Sequence, residues 1–369
     1  MNPAELAPYV TGGAFALAFI FGAVGNKTNF CTMGAVSDWV NMGDTSRMRM
    51  WLLAIAVALL GSSALHLAGV VDISKSIYPG PNFTWLSYLV GGFLFGVGMT
   101  LGSGCGSKTL IRVGAGNLKS LVVTIFLGIA AYMTLRGLLG AFRVGVLEKA
   151  ALTLPQGQDL PSLFSTWFGM SKAAWISLLA LTMAGGLLAF IYSSRQFRSS
   201  FDYTLGGVVT GLVVVGGWYV SGHVGHVAED PNTLQEAFVA TNTGRMESFS
   251  FVAPFAFTLE YLMLWTDKSK IITYGIASAA GVIAGSAAYA LATRSFRWEG
   301  FRDAEDTANH IVGGLLMGFS GITALGCTIG QAISGFSTLA LGSIMTFIAI
   351  VAGSAATMKY QVWRIERQG

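Results

Sequence analysis

An all-α, polytopic integral membrane protein is predicted by three observations. Hydrophobic residues make up 53% of the 369 and charged residues only 11%, against about 25% charge in soluble domains; mean hydropathy is +0.62. Apolar stretches recur at close to the roughly 20 residues that cross about 30 Å of hydrocarbon. Two glycine-rich segments, far apart in the chain, repeat one another. The net charge of +4 is scattered and gives no support for nucleic-acid binding. Met1 to Tyr9 carries Glu5 and neither Lys nor Arg, so the first apolar segment is expected to remain in the mature protein rather than serve as a cleaved signal.

Residues 9–24 form that segment, which breaks at Gly25-Asn26-Lys27-Thr28-Asn29. Residues 48–71 read as a span with Trp51 as an interfacial anchor. A Pro-containing loop, Tyr78 to Asn82, precedes the run 85–101, and 119–140 follows. A polar linker with Pro155 and Pro161, roughly 150–172, joins two related halves, 1–150 and 173–369, of a single transmembrane domain, 1–369. The second half offers spans at 173–193, 203–221, 249–266, 271–293 and 337–358, with an acidic loop from Glu229 to Glu247. About nine transmembrane helices plus short re-entrant ones are expected. The basic tail, with Lys359, Arg364 and Arg367, favours a cytoplasmic C-terminus.

The repeat is carried by cysteines. Gly91, Gly92, Gly96, Gly104 and Cys105 shift by a constant 222 residues onto Gly313, Gly314, Gly318, Gly326 and Cys327. Cys31 stands nine residues after Gly22, the same step as Gly96 to Cys105 and Gly318 to Cys327. All three cysteines therefore occupy one kind of local frame. A fourth, weaker frame sets Thr210-Gly211 against Phe21-Gly22 and puts Val220 where Cys31 stands. The run from Tyr88 to Leu101 is too short to cross as helix, at about 21 Å. Broken segments at matching places in two halves point to a transporter's substrate site, because irregular backbone at membrane depth is tolerated only where it is buried in protein or lines a cavity. Gly106 and Gly330, which follow Cys105 and Cys327, join the other motif glycines as candidate pore backbone.

A cysteine between a glycine turn and a helical stretch sits where free N–H groups and the helix dipole favour anions. A neutral thiol there donates weakly to a passing sulfur anion; a thiolate instead suits covalent sulfur transfer. Lys108, with Arg112 nearby, is expected to attract an anion at one mouth, and Thr28, Gln331 and the intramembrane acid Glu260 are candidate polar support. No cofactor or metal is expected. Gly102 to Thr109 carries Ser107 where a phosphate-binding loop needs glycine, and His223-x-x-His226 beside Glu229 and Asp230 is read as incidental. Three cysteines without a CxxC make neither a disulfide framework nor a zinc site.

The Phe30-Cys31-Thr32-Met33-Gly34 frame, followed by the two Gly-Gly…Gly-Cys repeats, resembles the YeeE/YedE family of bacterial inner-membrane proteins over essentially the whole chain. The resemblance implies a pseudo-symmetric helical transporter for thiosulfate, with Cys31, Cys105 and Cys327 contacting the ion in turn. It also implies a cytosolic TusA-like sulfur-carrier partner. Selenium-linked relatives leave the substrate class open, and a membrane thiol enzyme relaying sulfane sulfur through persulfides is the alternative. Relatives often carry Gly-Cys-x-x-Gly, as Cys327 to Gly330 does; at the first repeat Lys108 takes the last position.

Overall fold

The computed structural model describes residues 3–231 and 233–368. Helix α1 (Pro3–Lys27) leads through a short α2 (Thr32–Ser37) into α3 (Ser46–Leu67). Next come α4 (Trp85–Leu101), α5 (Gly106–Gly114), α6 (Leu118–Arg136) and α7 (Leu138–Phe142). The linker region holds α8 (Leu160–Phe168), followed by α9 (Lys172–Tyr192), α10 (Arg195–Ser199) and α11 (Phe201–Tyr219). Helices α12 (Ala253–Met263), α13 (Tyr274–Ala292), α14 (Ala304–Thr323) and α15 (Leu341–Gln368) complete the chain. Two antiparallel ribbons, β1 (Asn82–Phe83) with β2 (Leu152–Thr153) and β3 (His226–Val227) with β4 (Ala237–Phe238), tie loops together. Among the described residues eight helices are long and apolar enough to cross a membrane: the chain is an all-α polytopic membrane protein. Helix starts follow local chemistry. Asn117, Ser171, Thr273 and Asp303 each accept a backbone N–H at the first turn of α6, α9, α13 and α14, satisfying donors that a helix start leaves free.

Two expectations change. The segment 249–266 is helical only over Ala253–Met263, about 16 Å, and its first residues run inward as extended chain. Trp51 is not at the interface; it is buried, stacked between Phe30 and Phe347 at 5.4 and 5.9 Å between ring centroids.

Four parallel helix pairs build the core: α4 with α15, α14 with α6, α1 with α13, and α11 with α3. Each contains one Gly-xxx-Gly step, at Gly92/Gly96, Gly314/Gly318, Gly281/Gly285 and Gly207/Gly211. The backbones meet there. A Cβ on Gly96 would stand 2.6 Å from the Ser354 amide, one on Gly318 2.8 Å from the Ala131 amide, one on Gly22 2.9 Å from Val282 Cα, and one on Gly211 2.8 Å from the Ala54 carbonyl. Small residues that let backbones approach are the usual basis of helix association in lipid. The first repeat's α4 thus packs on the second half's α15, and α14 on α6, so the halves exchange partners. Between them α4 and α14 cross antiparallel, with Gly98 and Gly313 back to back, which makes the repeats inverted in topology.

Ion pairs and bridges identify the two faces. On one, Lys119 holds Asp306 at 2.7 Å, Asn117 holds Glu299 at 2.7 Å and Arg364 pairs with Glu305. That face carries the C-terminal end of α15, Arg294 and Arg297, Lys27 beside Asp202, and Arg49 on the carbonyls closing α9. On the other, the linker is sewn to the start of α15 by Leu160 N to Leu339 O and Leu341 N to Gln158 O, both 3.0 Å. The acidic loop lies there as well. Basic residues thus gather on the first face, which the positive-inside rule predicts to be the cytoplasmic one. A fluorescent reporter that matures only in the cytoplasm is expected to glow when fused after residue 368 and to stay dark when inserted at residue 244; the reverse pattern would invert the assignment.

Candidate functional site

The same chain geometry precedes all three cysteines. Asn29, Ser103 and Leu325, each two residues before a cysteine, adopt left-handed backbone with φ of 53°, 56° and 59°. The following amide then bonds back five residues, Phe30 N to Gly25 O at 3.1 Å, Gly104 N to Met99 O at 2.9 Å and Gly326 N to Gly321 O at 2.7 Å. This double-bonded left-handed turn ends a helix, and the cysteine then opens the next helical segment. Cys31 Sγ accepts from Gly34 N at 3.4 Å, capping α2. Cys327 Sγ accepts from Gly330 N at 3.4 Å and from Phe251 N at 3.2 Å, ahead of a π-helical turn, Gly330–Gly335. Cys105 opens α5. Each sulfur stands where the carbonyl end of one helix meets the amide end of another.

The three hairpins converge. All three cysteines are free and buried. Cys31 and Cys105 lie close enough for their side chains to interact. Thr32 Oγ1 lies 3.9 Å and Ser107 Oγ 3.4 Å from Cys105 Sγ, and Thr328, whose buried hydroxyl has no partner, adjoins the same sulfur. Phe251 meets Cys327 through its backbone N–H, whereas Thr32 meets Cys105 through its side-chain hydroxyl. The fourth frame is therefore corrected. Gly211 does match Gly22 as a helix crossing, but Val220 only prolongs α11 as a π turn. The chain that reaches the thiols after α11 is instead the irregular stretch Ser250-Phe251, which follows a long loop and touches Cys327, Gly106 and Gly330.

Lys108 is not at a mouth. It is 7% exposed and donates to Asn29 Oδ1 at 3.0 Å, beside Cys31 and Cys105. Arg112 donates to the Ser103 carbonyl at 2.5 Å, holding the turn before Cys105. Neither is paired with a carboxylate among the described residues, whereas Arg47, beneath the Cys31 turn, is matched by buried Asp38. Glu260 is far from the thiols: Lys270 holds it at 2.7 Å and Arg136 at 3.8 Å. Thr28 bonds its own helix at Val24 O, 2.8 Å. Gln331 binds the Ala324 carbonyl and leaves Oε1 buried without a partner. Of the motif glycines, Gly22, Gly91, Gly92, Gly96, Gly313, Gly314 and Gly318 lie at helix crossings. Gly106 and Gly330 touch the Ser250-Phe251 chain, and Gly104 and Gly326 sit in the turns. Asn29, Thr32, Ser107, Thr328 and Phe251 were not anticipated; short polar residues flanking each cysteine were the available signal.

On the outer side a cavity of about 130 Å³ reaches Leu325 and Gly326, one residue from Cys327; Tyr78, Arg143, Asn242, Glu247, Ser250 and Tyr274 help line it. A second cavity of about 240 Å³, with Arg136, Glu260 and Lys270, shares Asn242 and Phe257 with the first.

Inverted repeats with broken helices meeting inside the membrane are the architecture of membrane transport proteins, and here they gather buried thiols and a lysine without a carboxylate partner among the described residues. The sequence profile described as sulphur transport matches residues 27–356, and the chain is a member of that sulphur-transport (YeeE/YedE) family. It is 25% identical over 330 residues to the thiosulfate transporter TsuA of Escherichia coli (strain K12), covering 85% of this chain and 84% of that one. It is 24% identical over 347 residues to the thiosulfate transporter TsuA of Spirochaeta thermophila, covering 92% and 95%.

Proposed function

We propose that the chain carries thiosulfate, or a closely related sulfur oxyanion, across the bacterial inner membrane, passing it along Cys327, Cys105 and Cys31 as weak S–H donors. The observation that carries this reading is Lys108, a buried cation without a carboxylate partner, set among thiols and hydroxyls. A buried charge left unpaired costs several kcal/mol, and an anion in transit supplies the missing partner. Thr32, Ser107 and Thr328 add donors, so the ion trades hydration for fixed groups in sequence. Two relatives bearing the thiosulfate transporter name support the substrate. The whole chain acts as one transmembrane unit whose halves, 1–150 and 173–369, each contribute to the path. Bringing a dianion into a negative interior opposes about 4.6 kcal/mol per 100 mV, at about 2.3 per charge. A TusA-like carrier consuming the sulfur on the cytoplasmic side, or a coupled cation, offsets that.

Uptake of labelled thiosulfate by vesicles holding Cys31→Ser, Cys105→Ser or Cys327→Ser tests the mechanism. Serine keeps a donor but not a sulfur nucleophile, so each variant is expected to retain uptake within about tenfold, a loss of roughly 1.4 kcal/mol per step. Replacement of all three by alanine is expected to lose far more. Complete loss with serine would favour the persulfide relay, and wild-type uptake with three alanines would sink both sulfur mechanisms.

A further inference from the structure

The outer cavity next to Cys327 holds groups that the thiol path does not use. Tyr274 is 1% exposed and its hydroxyl has only the Ser248 hydroxyl beside it, with no hydrogen bond of good geometry. Ser248 already donates to the Val214 carbonyl at 2.9 Å. Arg143 reaches the cavity from the turn after α7; its terminal nitrogen pairs with Glu148 at 2.8 Å, but its buried Nε is unpartnered. Asn242 Oδ1 is likewise buried and unpartnered; amide orientation is set by the partners at hand, so an anion there turns the NH2 inward. Arg143 Nε, Asn242 and the Tyr274 hydroxyl thus bring hydrogen-bonding capacity to one void, and buried polar groups are as a rule satisfied. One carboxyl opposes an anion. Glu247 is 8% exposed, lines the same cavity and takes two hydrogen bonds from Thr243, at 2.8 and 2.7 Å.

We propose that this cavity is a loading site in which a divalent sulfur oxyanion binds Arg143, Tyr274 and Asn242, and that the anion enters together with a proton on Glu247. The proposal rests on the transport reading above and assigns its coupled cation. The titratable groups interacting with Glu247 are Tyr78 from the loop before β1, near Cys327, and Tyr274 from α13; Arg143, beyond α7, shares the cavity lining. Burial raises the Glu247 carboxyl above its usual value, and the Thr243 hydrogen bonds offset this only in part. The sign follows directly. Above its transition Glu247 is charged and repels a dianion; below it the carboxyl is neutral and can donate. Affinity therefore rises as pH falls, and by reciprocity anion binding draws a proton from the outer medium. Thiosulfate remains a dianion throughout, so the ligand does not titrate.

The test is the KM for labelled thiosulfate in cells expressing the full chain, with external pH stepped from about 8 to about 5, bracketing a carboxyl raised above roughly 4.3. Wild-type KM is expected to fall about tenfold, within the 5–150-fold range of site couplings. Glu247→Gln is expected to hold the low KM at every pH, whereas a pH effect arising from driving force alone would persist in it. Tyr274→Phe is expected to raise KM at every pH and keep the slope. If Glu247→Gln does not accumulate, Thr243→Val decides: losing a hydrogen bond to the charged form moves the transition to higher pH. An unchanged profile in Glu247→Gln, an unmoved transition in Thr243→Val, or an unchanged KM in Tyr274→Phe overturns the proposal. Uptake by the wild type with a flat profile sinks the loading site alone; no uptake or binding at any pH sinks the transport reading and the site with it.

Discussion

Replacing Gly96 by leucine is expected to remove nearly all folded protein from the membrane. Gly96 backs onto the Ile350 carbonyl and the Ser354 amide, so the intruding atoms meet main chain, which cannot rotate aside as a side chain does. Inserting methylenes into a packed core already costs about 1–3 kcal/mol where side chains can move; here α4 must separate from α15, and that separation also moves the Cys105 turn nine residues on. The same change at Gly318 acts on α14 against α6 and is expected to do the same through Cys327. Gly185 is the control: it lies in α9 with open space around it, and leucine there is expected to leave yield and melting temperature unchanged. Recovery of monodisperse protein by size exclusion, followed by thermal unfolding, reads the effect. Wild-type yield and Tm for Gly96→Leu would show that the α4–α15 contact is looser than described.

These glycines also show how much of the fold the sequence disclosed. The constant 222-residue offset and the nine-residue step located two equivalent helices and all three thiols, because a repeat preserves spacing when its structure requires it. The offset could not say what the glycines face: backbone crossing and pore lining demand the same residue, and only the partner helix separates them. The fourth frame failed for a different reason. The loop after α11 inserts a long stretch before Ser250-Phe251, so a fixed spacing led to Val220 instead. Leu325 carries a left-handed backbone that leucine disfavours, so no residue preference announced that turn; its equivalence to Asn29 and Ser103 is visible only in the dihedrals. Glu260 looked like an intramembrane functional acid, yet Lys270, ten residues on, answers its charge, a pairing that depends on how the chain turns back after α12. Lys108 departs from the second repeat, which the sequence shows, but lies buried beside the thiols and not at a mouth, which spacing does not reveal.

That depth makes Lys108 the position where structure and transport can be separated. Lysine buried beside Cys31 and Cys105 is a poor structural choice, because a buried charge without a counter-charge costs several kcal/mol of desolvation that a neutral group of similar size avoids. Lys108→Gln is therefore expected to keep or raise the melting temperature, since a glutamine amide can still donate toward Asn29. A purely structural lysine predicts the opposite, a lower Tm. For the passing anion the same change exchanges a charged hydrogen bond for a neutral one. Hydrogen bonds to charged groups contribute about 1.5–3 kcal/mol against about 1 for neutral ones, so uptake is expected to fall roughly 2- to 30-fold at about 1.4 kcal/mol per decade. Lys108→Glu places a like charge in the anion's path and is expected to abolish uptake. Normal uptake by both variants would remove the cation from the mechanism and leave the thiols and hydroxyls to carry the ion alone. A fall in uptake without a fall in Tm assigns Lys108 to the anion, and with it explains why a membrane protein keeps a buried lysine that has no carboxylate partner among the described residues.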